Sequence, residues 1–508
     1  MSTAINIYQL FPRLFGNKNA TFQPKGSKAE NGCGTFADID AKALNALKAM
    51  GITHIWLTGI LHHASESTGT HPDITKGRAG SPYAVTDYYA TDPDLGTMGD
   101  LEQLIGRIHA TGLKVIMDFI PNHVARECVG FEEQNFYLLE GLHFANPTGG
   151  TYSEYPAKAT GNNVFAPNPS LNDWYDTIKL NYDNHDTWEK MHAIMRFWCG
   201  KGIDGFRVDM AEMVPTAFWQ WSIAELRKDF QVMLIAEIYQ PALYKQFLEA
   251  GFDYLYDKVG LYNTLENILC HGHEAHEITQ VWKNLDEIDG RMLRFMENHD
   301  EKRLASPQFV GDATAAMPAV MLSALMNTGP FMIYNGQESG EDALGAVGFS
   351  GDDGRTSIFD YCTMPKHQQW MNGGQFDGGL FDEKQQKLFE TYSKLLQFRL
   401  QHKAISEGAF YDLMWCNPWY NNFDPQFVYA FLRYSKDERL LIVINFHRTE
   451  SRNVQVKIPH DALALMGKRK ANEFDMNDFV SEVAPMDLRP SETKVLDLDS
   501  GKIVIGED

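Results

Sequence analysis

Along most of the chain, apolar residues recur in two alternating rhythms. Leu44 and Leu47, and later Leu101, Leu104, Ile105 and Ile108, fall at helical spacing. Each of these stretches ends at a glycine, and a continuous apolar run follows. Three copies are plain: Gly51-Ile-Thr-His-Ile-Trp-Leu57, Gly112-Leu-Lys-Val-Ile-Met-Asp118 and Gly202-Ile-Asp-Gly-Phe-Arg-Val-Asp209. Glycine at a helix end supplies a left-handed turn. A run that is apolar throughout belongs to a strand covered on both faces, so the alternation predicts a parallel sheet flanked by helices.

Ile5 to Phe11, Val232 to Ile238, Tyr254 to Val259, Met292 to Glu297 and Phe331 to Tyr334 fit the same rhythm. Eight strands favour a closed (β/α)8 TIM barrel over an open sheet. The interval from Gly51 to Gly112 is 61 residues, whereas that from Gly112 to Gly202 is 90. The surplus predicts a small irregular domain inserted after the third strand, over 122–176, interrupting a barrel of 1–121 and 177–404. Beyond a helix around Glu383 to His402 the pattern turns β-rich, as in Phe427-Val-Tyr-Ala-Phe-Leu-Arg433 and Leu440-Leu-Ile-Val-Ile-Asn-Phe446. Residues 405–508 are therefore expected to form a C-terminal antiparallel β-sandwich domain.

Composition narrows the function. The 508 residues, 44% hydrophobic and 12% aromatic, suit an ordinary globular chain of more than one domain. A formal net charge of −22 argues against a nucleic-acid partner, which would require a basic face. The longest apolar stretch, about Ala313 to Met326, carries Pro318 and is too short to span a bilayer. The six cysteines are scattered without a Cys-x-x-Cys pair, which fits a reducing compartment. Met1 to Phe15 lacks the basic-then-apolar pattern of a secretory signal, so a cytoplasmic location is expected if residue 1 is the native start.

In a barrel of this kind, functional groups project from the carboxyl ends of the strands. Strand three ends at Asp118-Phe-Ile-Pro-Asn122-His123, strand four at Arg207-Val-Asp209, strand five at Ala236-Glu237 and strand seven at Glu297-Asn298-His299-Asp300. Carboxylates from separate strands thus converge on one rim. Such a set suits metal binding or glycoside cleavage. A retaining glycosidase uses two carboxyl groups about 5–5.5 Å apart, one attacking the anomeric carbon and one protonating the leaving oxygen. Arg207, two residues before Asp209, points to the same face of its strand and can keep that carboxylate ionised.

These segments resemble the α-amylase family of glycoside hydrolases (glycoside hydrolase family 13). Asp118 to His123, Gly205 to Asp209, Ile235 to Glu237 and Asn298 to Asp300 resemble its four conserved regions in order. Lesser likenesses are Ile7 to Pro12, Ile55 to Thr58, Lys179 to Asn181 and Gly329 to Tyr334. The resemblance implies a hydrolase of α-linked glucans or maltooligosaccharides that works by double displacement and retains configuration. Asp209 would be its nucleophile, Glu237 its general acid/base and Asp300 its transition-state stabiliser. His123, Arg207 and His299 would surround the attacked sugar, with Tyr83 stacked on it. A transglycosylase or an exo-acting α-glucosidase of the same fold would use the same residues. A silent carbohydrate-binding relative is disfavoured by the presence of all three carboxylates.

The chemistry requires no cofactor. The family leaves room for structural calcium, with Asn122 as a candidate ligand, although six to eight oxygens are needed and the others are not apparent. The Gly16-Asn17-Lys18-Asn19 stretch reads as a simple loop. Glu212-Met213 stands where many endo-acting members carry Lys-His to grip sugars beyond the cut. The aromatic-rich loop from Ser339 to Phe381 either walls the site into a pocket or is surface cover. His271-Gly-His273-Glu-Ala-His276 lacks the spacing of the helical zinc metalloprotease motif, since His273 and His276 are three apart rather than four, and reads as a solvated helix start.

Overall fold

A computed structural model describes residues 4–72, 75–136, 174, 176–345, 348–349, 351–418, 422–467 and 482–506. Eight parallel strands close a barrel in sequence order: β1 Asn6–Leu10, β2 His54–Leu57, β3 Lys114–Phe119, β4 Gly205–Val208, β5 Met233–Ala236, β6 Tyr254–Tyr256, β7 Met292–Phe295 and β8 Phe331–Tyr334. The ring closes where β1 pairs with both β2 and β8, with Ile7 opposite His54 and Met332. All eight strands fall where the hydrophobic pattern put them.

The helices form for the expected reasons. Asp40 caps Ala41–Met50 by accepting from the amides of Lys42 and Ala43. That helix ends at Gly51, whose φ of 108° is left-handed. Helix Met98–Ala110 buries Leu101, Leu104, Ile105 and Ile108 against the barrel. Each such side chain contributes about 1.5–3 kcal/mol on burial. The result is a rigid ring that presents every strand end on one rim.

One strand is shorter than the sequence suggests. The expected run to Val259 stops at Tyr256, because the Asp257 side chain accepts from the Leu261 amide and winds Lys258–Tyr262 into a π-helical turn. After β3 the chain leaves the barrel as an insertion. Its entry and exit, His123–Ala125 and Thr177–Lys179, pair antiparallel. Residues 137–173 and 175 of this segment lie outside the described residues.

The C-terminal region is antiparallel. Ala409–Asp412, Val428–Tyr434, Arg439–Asn445, Thr493–Asp497 and Lys502–Ile505 form a five-stranded sheet, and Arg452–Ile458 pairs with Glu482–Leu488. Buried Arg433 fastens this sheet to the barrel by donating to the carbonyls of Met326, Ala404, Ile405 and Gly408. All six cysteines are free thiols. Among the described residues, no helix is long and apolar enough to cross a membrane.

Candidate active site

Strand register brings the site together. Asp118 on β3 lies directly opposite Arg207 on β4. One step beyond the strands, the Asp209 amide donates to the Phe119 carbonyl at 2.8 Å and the Glu237 amide to the Val208 carbonyl at 3.0 Å. Both carboxylates are therefore held at the carboxyl rim by the last rungs of the sheet, which leaves their side chains free to face the barrel mouth.

The fully buried Arg207 guanidinium organises them. Its Nη1 donates to Asp209 Oδ1 at 2.9 Å and to Asp118 Oδ1 at 3.2 Å, and its Nε donates to the Tyr256 hydroxyl at 3.1 Å. Nη2 lies 2.7 Å from Glu237 Oε1, off the axis of a good hydrogen bond, and makes an ion contact there. The rings of Trp56, Tyr83 and Tyr256 surround the cation at 5.3, 5.6 and 5.4 Å. One arginine thus faces three buried carboxylates. Burial, and then the Glu237 charge, push the Asp209 carboxyl well above its ordinary value while Arg207 pulls the other way. Such crowding keeps a proton within the cluster.

The two principal carboxylates differ in how they are held. Glu237 accepts from the Met210 amide on Oε2 and from the Tyr239 hydroxyl on Oε1, both at 2.7 Å. Asp209 has one oxygen fixed on Arg207, whereas its buried Oδ2 has no hydrogen-bond partner among the described residues. That oxygen is oriented and unencumbered, as an attacking group must be.

Asp300 belongs to the same rim. Gln9 donates to His299 Nδ1 at 2.7 Å, which leaves Nε2 to face Asp300 at 3.1 Å and the Tyr83 hydroxyl at 2.5 Å. The Tyr83 and His299 rings stack with centroids 5.1 Å apart. Burial works against its charge, yet His299, Arg207 and Arg355 hold the Asp300 carboxyl below its ordinary value.

His123 lines the same cavity, its ring edge-on to Trp174 at 5.1 Å. Burial first, and then the Lys179 and Lys76 charges, lower its pKa to about 3, so it is a neutral hydrogen-bonding group. Its neighbour Asn122 does not suit calcium. The Asn122 side-chain oxygen accepts from the Lys179 ammonium, and its nitrogen faces His123 Nδ1 at 3.2 Å. A dication there would meet a buried cation. Among the described residues, no cluster of three or more His, Cys, Asp or Glu is placed to hold a metal.

Asp209, Glu237, Asp300, Tyr83 and His123 line one cavity of about 370 Å³, and Arg207 and His299 lie directly behind it. Phe349, Ile358 and Phe359 of the loop after β8 form part of its wall. Trp370 and Phe376 of the same loop pack on Phe15 instead. The loop is thus both wall and cover, split by residue.

Sequence reasoning passed over Gln9, Trp56, Tyr239, Lys76, Trp174 and Asp176. Trp56 and Gln9 are the penultimate residues of buried strands, and their parity with the rim was a usable signal. Trp174 and Lys76 sit in irregular segments with none. Elsewhere, His273 and His276 pair with Glu277 and Glu274 at the entry to helix Ile278–Leu285, as a solvated helix start should. Asn17 and Asn19 are spent on loop hydrogen bonds, including Asn17 to the carbonyls of Asn31 and Cys362.

Paired carboxylates on adjacent strands at the carboxyl rim of a (β/α)8 barrel suit glycoside cleavage. Comparison with known proteins agrees. The α-amylase catalytic-domain profile matches residues 9–408, so the chain belongs to the α-amylase family. It is 26% identical over 453 residues to Alpha-amylase 3 of Dictyoglomus thermophilum, covering 82% of this chain and 84% of that one. It is 24% identical over 583 residues to trehalose-6-phosphate hydrolase of Bacillus subtilis, covering 96% of each. The crystal structure of an α-amylase from Geobacillus thermoleovorans, complexed with acarbose, shares the fold with a TM-score of 0.67 at 19% identity, over 97% of this chain and 98% of that one.

Proposed function

We propose that this enzyme hydrolyses α-linked glucans or maltooligosaccharides by double displacement through a covalent glycosyl-enzyme intermediate. Asp209 Oδ2 attacks the anomeric carbon as Glu237 gives its proton to the glycosidic oxygen, which leaves with the bonding electrons. Water then gives a proton to Glu237 and its oxygen to the anomeric carbon, and the bond to Asp209 breaks. Asp300, oriented by His299, faces the charge that develops on the sugar. Tyr83 and neutral His123 bind the ring and its hydroxyls.

The observation that carries this reading is the unequal holding of Asp209, a residue of the cavity wall, with one oxygen fixed by Arg207 and the other buried and unpartnered among the described residues. The names of the relatives span several α-glucosidic linkages, and product analysis decides among them. Incubation with maltooligosaccharides, isomaltose, sucrose and trehalose should release sugar from at least one. NMR of the first product should show the α anomer before mutarotation. First appearance of the β anomer would exclude double displacement.

A further inference from the structure

The segment directly after the nucleophile acts as a bracket for the one after β5. Met210 adopts a left-handed φ of 44°, uncommon for a residue with a side chain. This turn sends its amide onto Glu237 Oε2, and the Ala211 amide onto the Glu237 carbonyl at 3.1 Å. Glu212 completes the bracket: its Oε2 accepts from the amides of Tyr239 and Gln240 at 3.1 and 3.0 Å. Glu212 is itself buried. A strained residue persists only where several contacts fix it, and these contacts all fall between Glu237 and Gln240.

The two oxygens of Glu237 are consequently not equivalent. Oε1 has the Arg207 cation at 2.7 Å and the Tyr239 hydroxyl at 2.7 Å. Oε2 has only the Met210 amide among the described residues. A carboxyl oxygen has two lone-pair positions. Oε1 faces the cation and already holds the Tyr239 hydroxyl, so a proton is favoured on Oε2. Arg207 and the amide are obligate donors, and Tyr239 supplies the one hydrogen bond that Oε1 accepts among the described residues.

We propose that Tyr239, held by Glu212, is a positioning residue that confines the catalytic proton of Glu237 to Oε2 and so aims it at the leaving-group oxygen. The proposal rests on Glu237 being the acid/base of the reaction above. Without the Tyr239 hydroxyl, Oε1 opens as a second proton site facing away from the leaving group. Proton transfer suffers, while nucleophilic attack by Asp209 does not.

Substrates that differ in their need for a proton provide the test. The Tyr239→Phe variant and wild type are compared on a linear maltooligosaccharide and on α-glucosyl fluoride, whose leaving group departs with little protonation. The expected result is a loss of about tenfold or more in kcat/KM on the oligosaccharide, with fluoride cleavage within about twofold of wild type. Glu212→Ala should reproduce this split, add little in the double variant, and be rescued by Glu212→Gln, which keeps an acceptor for both amides. Fluoride turnover also shows that each variant is folded. Equal losses on both substrates, or none on the oligosaccharide, would overturn the positioning role while the hydrolase assignment stood. A wild-type protein that cleaved neither substrate would overturn both.

Discussion

Lys179 places its ammonium on the side-chain oxygen of Asn122, 57 residues earlier in the chain. The contact joins the exit of the inserted segment to the end of β3, and Lys179 also reaches the Met213 carbonyl at 3.4 Å. A monovalent side chain thus performs the bridging that a bound cation could perform. Burial lowers the Lys179 pKa to about 8, so its charge is held at a cost that this geometry offsets.

Chelation should therefore leave this contact intact. A metal bound only by the folded state raises stability by mass action, and stripping it lowers the Tm. Excess EDTA followed by excess calcium is expected to change the Tm of the wild type no more than that of Asn122→Ala. A Tm drop restored by calcium in the wild type and absent from Asn122→Ala would show that a cation does sit at this position.

Just after β8, Glu338 is buried, with Oε1 on the Tyr8 hydroxyl at 2.7 Å and Oε2 unpartnered among the described residues. Burial raises its pKa from 4.5 to about 7. Between these values the folded chain holds a proton that the unfolded chain has lost, so stability contributed by this group falls as pH rises from about 4.5 to about 7. Glu338→Gln keeps an acceptor for Tyr8 and removes the titration. From pH 5 to pH 8, urea unfolding should show wild type losing roughly 2–3 kcal/mol relative to the variant. A difference independent of pH would mean that Glu338 is charged throughout.

The sequence spoke most clearly where one local rule sufficed. Gly51, Gly112 and Gly202 closed helices, apolar runs marked strands, and Asp209, Glu237 and Asp300 stood just past strand ends where a barrel places its chemistry. Strand parity correctly aimed Arg207 at Asp209. What stayed hidden depends on contacts between distant segments. Nothing local in Lys179 announces that it will meet Asn122, and nothing in Glu212 that it will hold the amides of Tyr239 and Gln240. The early end of β6 was missed because a side-chain cap by Asp257 overrode an apolar run.

Asp209→Asn should stay folded and lose activity by several powers of ten, because a carboxamide keeps the shape and the contact with Arg207 but cannot supply the attacking oxygen. Initial rates on a cleaved oligosaccharide, with circular dichroism as the folding control, measure this. A variant that keeps a tenth or more of wild-type turnover would place the nucleophile elsewhere.

The covalent intermediate itself is the most direct test. In Glu237→Gln, α-glucosyl fluoride can still glycosylate the enzyme, but water lacks a base to release the sugar. Mass spectrometry of the protein mixed with this substrate should show one added glucosyl group, and peptide mapping should place it on Asp209. Azide, which needs no base, should discharge it and speed turnover. A glucosyl group on Glu297 or Asp300, or turnover of the fluoride with no adduct and a β-configured first product, would contradict double displacement through Asp209.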